Sequence, residues 1–171
     1  MSSPGMGFTG APQPTIANIV EQKLRAERVV KSGAGWFVTV AVLSIVNSVL
    51  SMSNASIHFI FGLGIAQYVD LLAHQAGQSG LALDLIVNGG IAAVFVLFWH
   101  FARKGQQWAF LVGMGLYAVD ALVMLLFFHD VLAAAFHGYA LYRMYMGMSG
   151  VPALQRYEAA MSGAGAPIQP R

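Results

Sequence analysis

Long apolar stretches separated by short polar segments form the main pattern of this sequence. The clearest one runs from Trp108 to Met148 and consists of two apolar segments joined by a turn of His129 and Asp130. The first segment, Trp108 to Phe128, has 21 residues. As an α-helix it would be about 31 Å long, which is enough to cross the hydrocarbon core of a bilayer. The pattern therefore predicts a transmembrane helical hairpin.

Two further stretches are apolar and long enough to span a membrane, Ala34 to Met52 and Leu81 to Ala102. A third, Ile57 to Gln75, is ambiguous, because it is apolar but contains glycines and polar residues: His58, Gly62, Gly64, Gln67, Asp70 and His74. We expect an all-α integral membrane helical bundle of four spans, in which Ile57 to Gln75 is a re-entrant or interfacial helix. The alternative is a bundle of five spans, in which that stretch also crosses.

The distribution of basic residues favours four spans. If Ile57 to Gln75 does not cross, all nine Lys and Arg residues lie on one side of the membrane. If it crosses, Lys23, Arg25, Arg28 and Lys31 lie on one side, and Arg103, Lys104, Arg143, Arg156 and Arg171 on the other. Cytoplasmic loops are enriched in Lys and Arg. The four-span arrangement therefore predicts that both termini lie in the cytoplasm.

The two ends of the chain are more polar than its centre. Residues 1–14 are rich in Gly, Pro and Ser and are predicted to be disordered. Ile16 to Lys31 has the pattern of an amphipathic helix, which we expect on the membrane surface or docked under the bundle. The chain thus divides into a disordered N-terminus with a surface helix (1–32), the transmembrane bundle (33–148) and a polar, mostly disordered tail (149–171).

Composition agrees with the membrane class. The chain is 57% hydrophobic and only 9% charged, whereas a soluble domain is about 25% charged. The net charge is only +2 and the basic residues sit at span ends, so no nucleic-acid partner is expected. There is no Cys, which excludes disulfides, thiolate nucleophiles and Cys-ligated metal.

Several polar side chains fall inside the predicted spans. Along an up–down–up path they lie toward the same face of the membrane, and we treat them as a polar intramembrane cluster: Asp84, Asn88, Tyr117, Asp120 and His137, with Asp70 and His74 nearby. An ionisable group in a span costs about 2.5–3.5 kcal/mol on insertion scales, so it normally faces the bundle interior and finds a partner. We expect Asp120 to pair with His137 or Asn88.

Two interpretations of this cluster remain open. The simpler one is hydrogen-bonded contact between helices, worth ~0.6 kcal/mol for each bond. The other is a site for a proton, a cation or a small polar ligand that opens to one side of the membrane. A metal site is not predicted, because neither His-x-x-x-His nor Glu-x-x-His occurs on a predicted helix. Hydrolase and nucleotide-binding signatures are also absent, so no catalytic residues are assigned.

His137 is the one candidate for binding a cofactor. Its context, Ala133-x-x-x-His137-x-x-x-Leu141, resembles the motif by which light-harvesting antenna helices ligate bacteriochlorophyll. Antenna proteins have a single span, whereas several are predicted for this chain. We therefore predict no cofactor.

The segments GLGIAQYVD, FARKGQQWAFLVGMGLYAVDAL and FHGYALY resemble small multispanning bacterial membrane proteins whose motifs carry no assigned chemistry. The resemblance covers roughly residues 30–148 and implies a location in the bacterial inner membrane. The leading hypothesis is an accessory or structural subunit that associates with the lipid bilayer and with other membrane subunits or itself. The rival is a small transporter or channel-like protein that uses the Asp/His cluster. A third hypothesis is a cofactor-binding membrane protein or a membrane-embedded enzyme.

Overall fold

The computed structural model describes residues 15–52, 78–127 and 129–164, and these residues form five α-helices and no strand. The helices are α1 (Ile16–Met52), α2 (Gln78–Ala102), α3 (Gln107–Phe127), α4 (Val131–Ser149) and α5 (Val151–Ala164). The prediction of an all-α helical bundle is confirmed for this part of the chain. The ambiguous stretch 57–75, the N-terminal residues 1–14 and residues 165–171 lie outside it.

Helices α1 and α2 run antiparallel. Near the middle of α1, the ring of Phe37 lies 6.0 Å from that of Phe98. Three turns further along α1, the Ser48 hydroxyl bonds to Asn88, which lies ten residues earlier in α2. The end of α1 at Met52 and the start of α2 at Gln78 are therefore at the same end of the bundle.

Helices α3 and α4 continue this up-and-down order. The ring of Phe98 lies 6.4 Å from that of Trp108, and the ring of Phe95 lies 6.1 Å from that of Tyr117, so α3 runs antiparallel to α2. A short connection then leads into α4, where the Asp130 carboxylate caps the helix by accepting a hydrogen bond of 2.9 Å from the Ala133 amide.

The two ends of the bundle differ in charge. We call one the basic end, because it carries eight of the nine basic residues: Lys23, Arg25, Arg28, Lys31, Arg103, Lys104, Arg143 and Arg156. We call the other the distal end; there α1 and α3 finish and α2 and α4 begin. Arg171 lies beyond the described residues.

The core between the helices is built largely from aromatic rings. Phe37 of α1 packs against Phe95, Phe98 and Phe110, with ring centroids 5.9–6.3 Å apart. Aromatic contacts at such centroid distances add about 0.5–1.5 kcal/mol for each pair beyond the area that they bury. Phe37 and Phe110 are fully buried. This core lies between the basic end and the polar groups described below.

The structure corrects the prediction of a separate surface helix before the first span. Residues 16–52 form one continuous helix of 37 residues. Gly33 lies inside this helix, at the point where α1 crosses α4, and it contacts the backbone of Gly147. The change from charged to apolar residues near Ser32 therefore falls within one helix.

The structure also corrects the prediction of a mostly disordered tail from residue 149. Residues Val151–Ala164 form α5, which packs along the N-terminal half of α1 with Val151 and Leu154 buried. Pro152 does not prevent the helix, because it stands in the first turn, where its missing N–H would have no partner within the helix. Lys23 of α1 lies 3.9 Å from Glu158 across this contact.

Two of the described helices are long and apolar enough to cross a membrane. They cover Ile16–Leu50 and Gln107–Leu126, and Ile86–Ala102 is a shorter apolar helix. Several of the largest exposed side chains on α3 are apolar, including Leu111, Leu122 and Leu126, each 55–63% exposed.

Candidate functional site

The structure brings Asp120 and His137 together in the core of the bundle. His137 Nε2 lies 2.9 Å from Asp120 Oδ2, and the exposed fractions of the two side chains are 0% and 2%. Helix α3 directs Asp120 inward on the same face as Tyr117 and Met124, which are also buried. The sequence predicted His137 or Asn88 as the partner of Asp120, and the structure shows the contact with His137.

The second nitrogen of His137 determines how many protons the pair holds. His137 Nδ1 lies 2.7 Å from the Ala133 carbonyl oxygen, one turn earlier in α4. A carbonyl only accepts hydrogen bonds, so Nδ1 carries a hydrogen and donates it. His137 Nε2 then faces a carboxyl oxygen of Asp120, and a hydrogen must lie between these two atoms as well. The pair is either imidazolium with carboxylate or imidazole with carboxylic acid, and in both forms its net charge is zero.

The hydrogen bonds of His137 limit its ability to bind a cofactor. Both of its ring nitrogens are hydrogen-bonded to protein, one to Ala133 and one to Asp120. A metal ion or tetrapyrrole would need a nitrogen lone pair, so ligation would require one of these bonds to break. Across the residues that the structure describes, no three His, Asp or Glu side chains are grouped so as to hold a metal ion.

Tyr117 completes the cluster by covering His137. The two rings are stacked, with centroids 4.4 Å apart and planes 19° apart. The Tyr117 ring is fully buried, and its hydroxyl has no hydrogen-bond partner within the described part of the chain. Phe95 approaches Tyr117 edge-on from α2. The imidazole is thus enclosed by an aromatic face on one side and a carboxyl group at its edge.

Asn88 joins α2 to α1. Its side-chain amide donates a hydrogen bond of 2.8 Å to the Ser48 hydroxyl, and both residues are buried. Ser48 belongs to a buried polar stripe on α1 with Ser44 and Asn47. The spacing of these residues places them on one face of α1, but the pairing of Ser48 with Asn88 does not follow from the sequence, because the relative rotation of α1 and α2 is a tertiary property.

Other members of the predicted cluster fall partly or wholly outside the described residues. Asp84 lies in α2, and its side chain is not among those that the structure describes. Asp70 and His74 lie in the segment 53–77, which is also outside.

Sequence reasoning missed the contact of Gly33 with Gly147, although a glycine inside a helix costs about 1 kcal/mol relative to alanine and so calls for a packing reason.

Comparison with known proteins leaves the family open. No protein-family model matches the chain. Neither a curated protein nor a solved structure matches it significantly. The resemblance to small bacterial membrane proteins therefore stays a prediction.

Proposed function

We propose that this chain is a multi-pass membrane protein that serves as an accessory or structural subunit of a membrane complex. The distribution of side chains supports the membrane location. The buried residues include Ser44, Asn47, Asn88, Asp120 and His137, while many large apolar side chains are exposed. Soluble monomers rarely expose large contiguous apolar patches. An apolar exterior around a polar, hydrogen-bonded interior is the arrangement expected in lipid.

The direction of the helices supports four spans. Because α1 and α2 are antiparallel, Met52 and Gln78 lie at the same end of the bundle. The residues between them must leave and return on one side of the membrane if both helices cross it. A single crossing by Ile57 to Gln75, as in the five-span alternative, would require α1 and α2 to run parallel.

The charges support an orientation for the four-span protein. Eight basic residues lie at the basic end, while the described distal end carries His129 and Asp130. The Arg103 guanidinium lies 4.7 Å above the Trp99 ring at the basic end, and Trp and Arg side chains are typical of the interface between lipid and water. We place the basic end and both termini in the cytoplasm and, following the resemblance, the bundle in a bacterial inner membrane.

The buried Asp120–His137 pair is the observation that best supports a structural role. An ionisable group that conducts protons or binds a ligand must be reached from one side of the membrane. Here the two ionisable side chains satisfy each other and are at most 2% exposed. They join α3 to α4, as Ser48 and Asn88 join α1 to α2. The geometry therefore favours a bundle whose polar groups hold helices together over a transport pathway.

The experiment isolates the protein from membranes that have been washed with alkaline carbonate. We expect the chain to stay in the membrane fraction and, in mild detergent, to co-purify in constant ratio with other membrane subunits or with a second copy of itself. In liposomes the purified chain should give no proton or ion flux above that of empty vesicles. Release by carbonate would contradict the membrane location. Proton flux that Asp120→Asn abolishes, without loss of folded protein, would favour the transporter.

A further inference from the structure

A groove of about 310 Å³ opens between α1 and α4 at the basic end of the bundle. Its polar lining comes from Arg28, Ser32 and Arg143, and its apolar lining includes Val29 and Met146. The Arg143 guanidinium donates a hydrogen bond of 3.4 Å to the Ser32 hydroxyl, which holds it at the mouth of the groove. We call this feature the Arg28–Arg143 groove.

The two guanidinium groups in this groove lack carboxylate partners among the residues that the structure describes. The neighbouring basic side chains of α1 are paired: Arg25 lies 2.6 Å from Glu21, and Lys31 lies 2.8 Å from Glu27. The hydrogen bond from Lys31 lowers the pKa of the Glu27 carboxyl, so Glu27 stays ionised and neutralises its partner. The groove therefore holds a net charge of about +2 that no described side chain offsets.

The groove also lies at a defined depth. Ser32 is 20 residues before Met52, at the distal end of α1. At 1.5 Å per residue this distance is about 30 Å, which matches the thickness of the hydrocarbon core of a bilayer. If the distal end of α1 reaches one interface, Ser32 and the guanidinium groups beside it reach the opposite one, where lipid phosphates lie.

We propose that the Arg28–Arg143 groove binds the headgroup phosphate of an anionic phospholipid in the cytoplasmic leaflet. This inference rests on the proposed membrane location. The planar guanidinium group donates two parallel hydrogen bonds to phosphate oxygens. Val29 and Met146 offer apolar contacts for the glycerol backbone and the first methylenes of the acyl chains. A phospholipid supplies both the phosphate group and the apolar groups for these contacts, whereas free phosphate supplies only the phosphate group.

The test measures lipid binding to the purified protein in detergent by native mass spectrometry. Phosphatidylglycerol is compared with phosphatidylcholine and with inorganic phosphate. Each basic group near an anionic lipid surface contributes about 1 kcal/mol, or about fivefold in affinity. We therefore expect Arg28→Gln and Arg143→Gln each to weaken phosphatidylglycerol binding about fivefold, and the double variant about 25-fold. The matched control is Arg156→Gln, which removes the same charge from the exposed surface of α5 and should leave binding unchanged.

Three results would overturn this inference. They are equal binding of both phospholipids, an equal loss in Arg156→Gln, or saturation of the groove by inorganic phosphate alone. A carbonate wash of the same preparation separates the two proposals. A protein that stays in the membrane but shows no lipid preference contradicts only the lipid site. A protein that carbonate releases contradicts the membrane location itself.

Discussion

Replacing His137 with leucine is expected to lower the free energy of unfolding by about 3 kcal/mol, because a buried polar group loses its hydrogen-bond partner. The substitution removes the imidazole that lies 2.9 Å from Asp120 Oδ2. It would leave the buried Asp120 carboxyl without this contact. Equilibrium unfolding in mixed detergent micelles measures the loss. The matched control is His100→Leu, because His100 is exposed and distant from the pair; it should change stability by less than about 0.5 kcal/mol.

The hydrogen that lies between His137 Nε2 and Asp120 predicts how substitutions of Asp120 differ in their effect on stability. In Asp120→Asn, the side-chain amide donates a hydrogen bond to Nε2 of a neutral imidazole, while Nδ1 keeps its bond to Ala133. We therefore expect Asp120→Asn to stay within about 1.5 kcal/mol of the parent protein, close to the value of one ordinary hydrogen bond. Asp120→Leu should destabilise about as much as His137→Leu. If His137→Leu and His100→Leu were equally stable, the pair would contribute nothing to the fold.

Replacing Gly33 or Gly147 with alanine is the second substitution with a large expected effect. A Cβ atom on Gly33 would overlap the Gly147 Cα atom, and a Cβ atom on Gly147 would lie 2.6 Å from the Gly33 Cα atom. The obstacle in both cases is backbone, which cannot rotate away as a side chain can. Helices α1 and α4 would have to separate, and overpacking of this kind costs about 1–3 kcal/mol.

The chain offers a matched control for each glycine. Gly35 lies one half-turn from Gly33 in α1, and Gly138 lies in α4, and a Cβ atom at either position would meet nothing within 4 Å. Gly35→Ala and Gly138→Ala should therefore be neutral or stabilising, since alanine favours a helix by about 1 kcal/mol over glycine. Thermal unfolding in detergent compares the four variants. Equal stability of all four would show that the close approach of α1 and α4 does not support the fold.

The helices of the bundle could be predicted because the sequence pattern that indicates each helix is local. Largely apolar runs of helical length indicate α2, α3 and α4 directly. The contact between Asp120 and His137 could be predicted as one of two pairings, the other being with Asn88, because a short turn places Asp120 and His137 at similar depth on adjacent helices and each needs a partner there.

The contacts that depend on helix rotation could not be predicted. Which face of α1 meets α4, and hence that Gly33 contacts Gly147, depends on how all the helices pack together. The continuous α1 was missed because the sequence near Ser32 changes from charged to apolar, and this change was interpreted as the end of one helix and the start of another. Helix α5 was missed because the tail was judged by its polar composition and not by the spacing of Val151 and Leu154, which lie on one buried face.

The sidedness of residues 54 and 78 tests the central claim, a membrane bundle with four spans, most directly. The chain contains no Cys, so single cysteines introduced as Asn54→Cys, Gln78→Cys and Ser162→Cys report without background. Intact cells are treated with a membrane-impermeant maleimide before and after lysis. We expect positions 54 and 78 both to be labelled in intact cells and position 162, on α5 beyond the basic end, to be labelled only after lysis. Labelling of positions 54 and 78 from opposite sides would contradict the four-span arrangement.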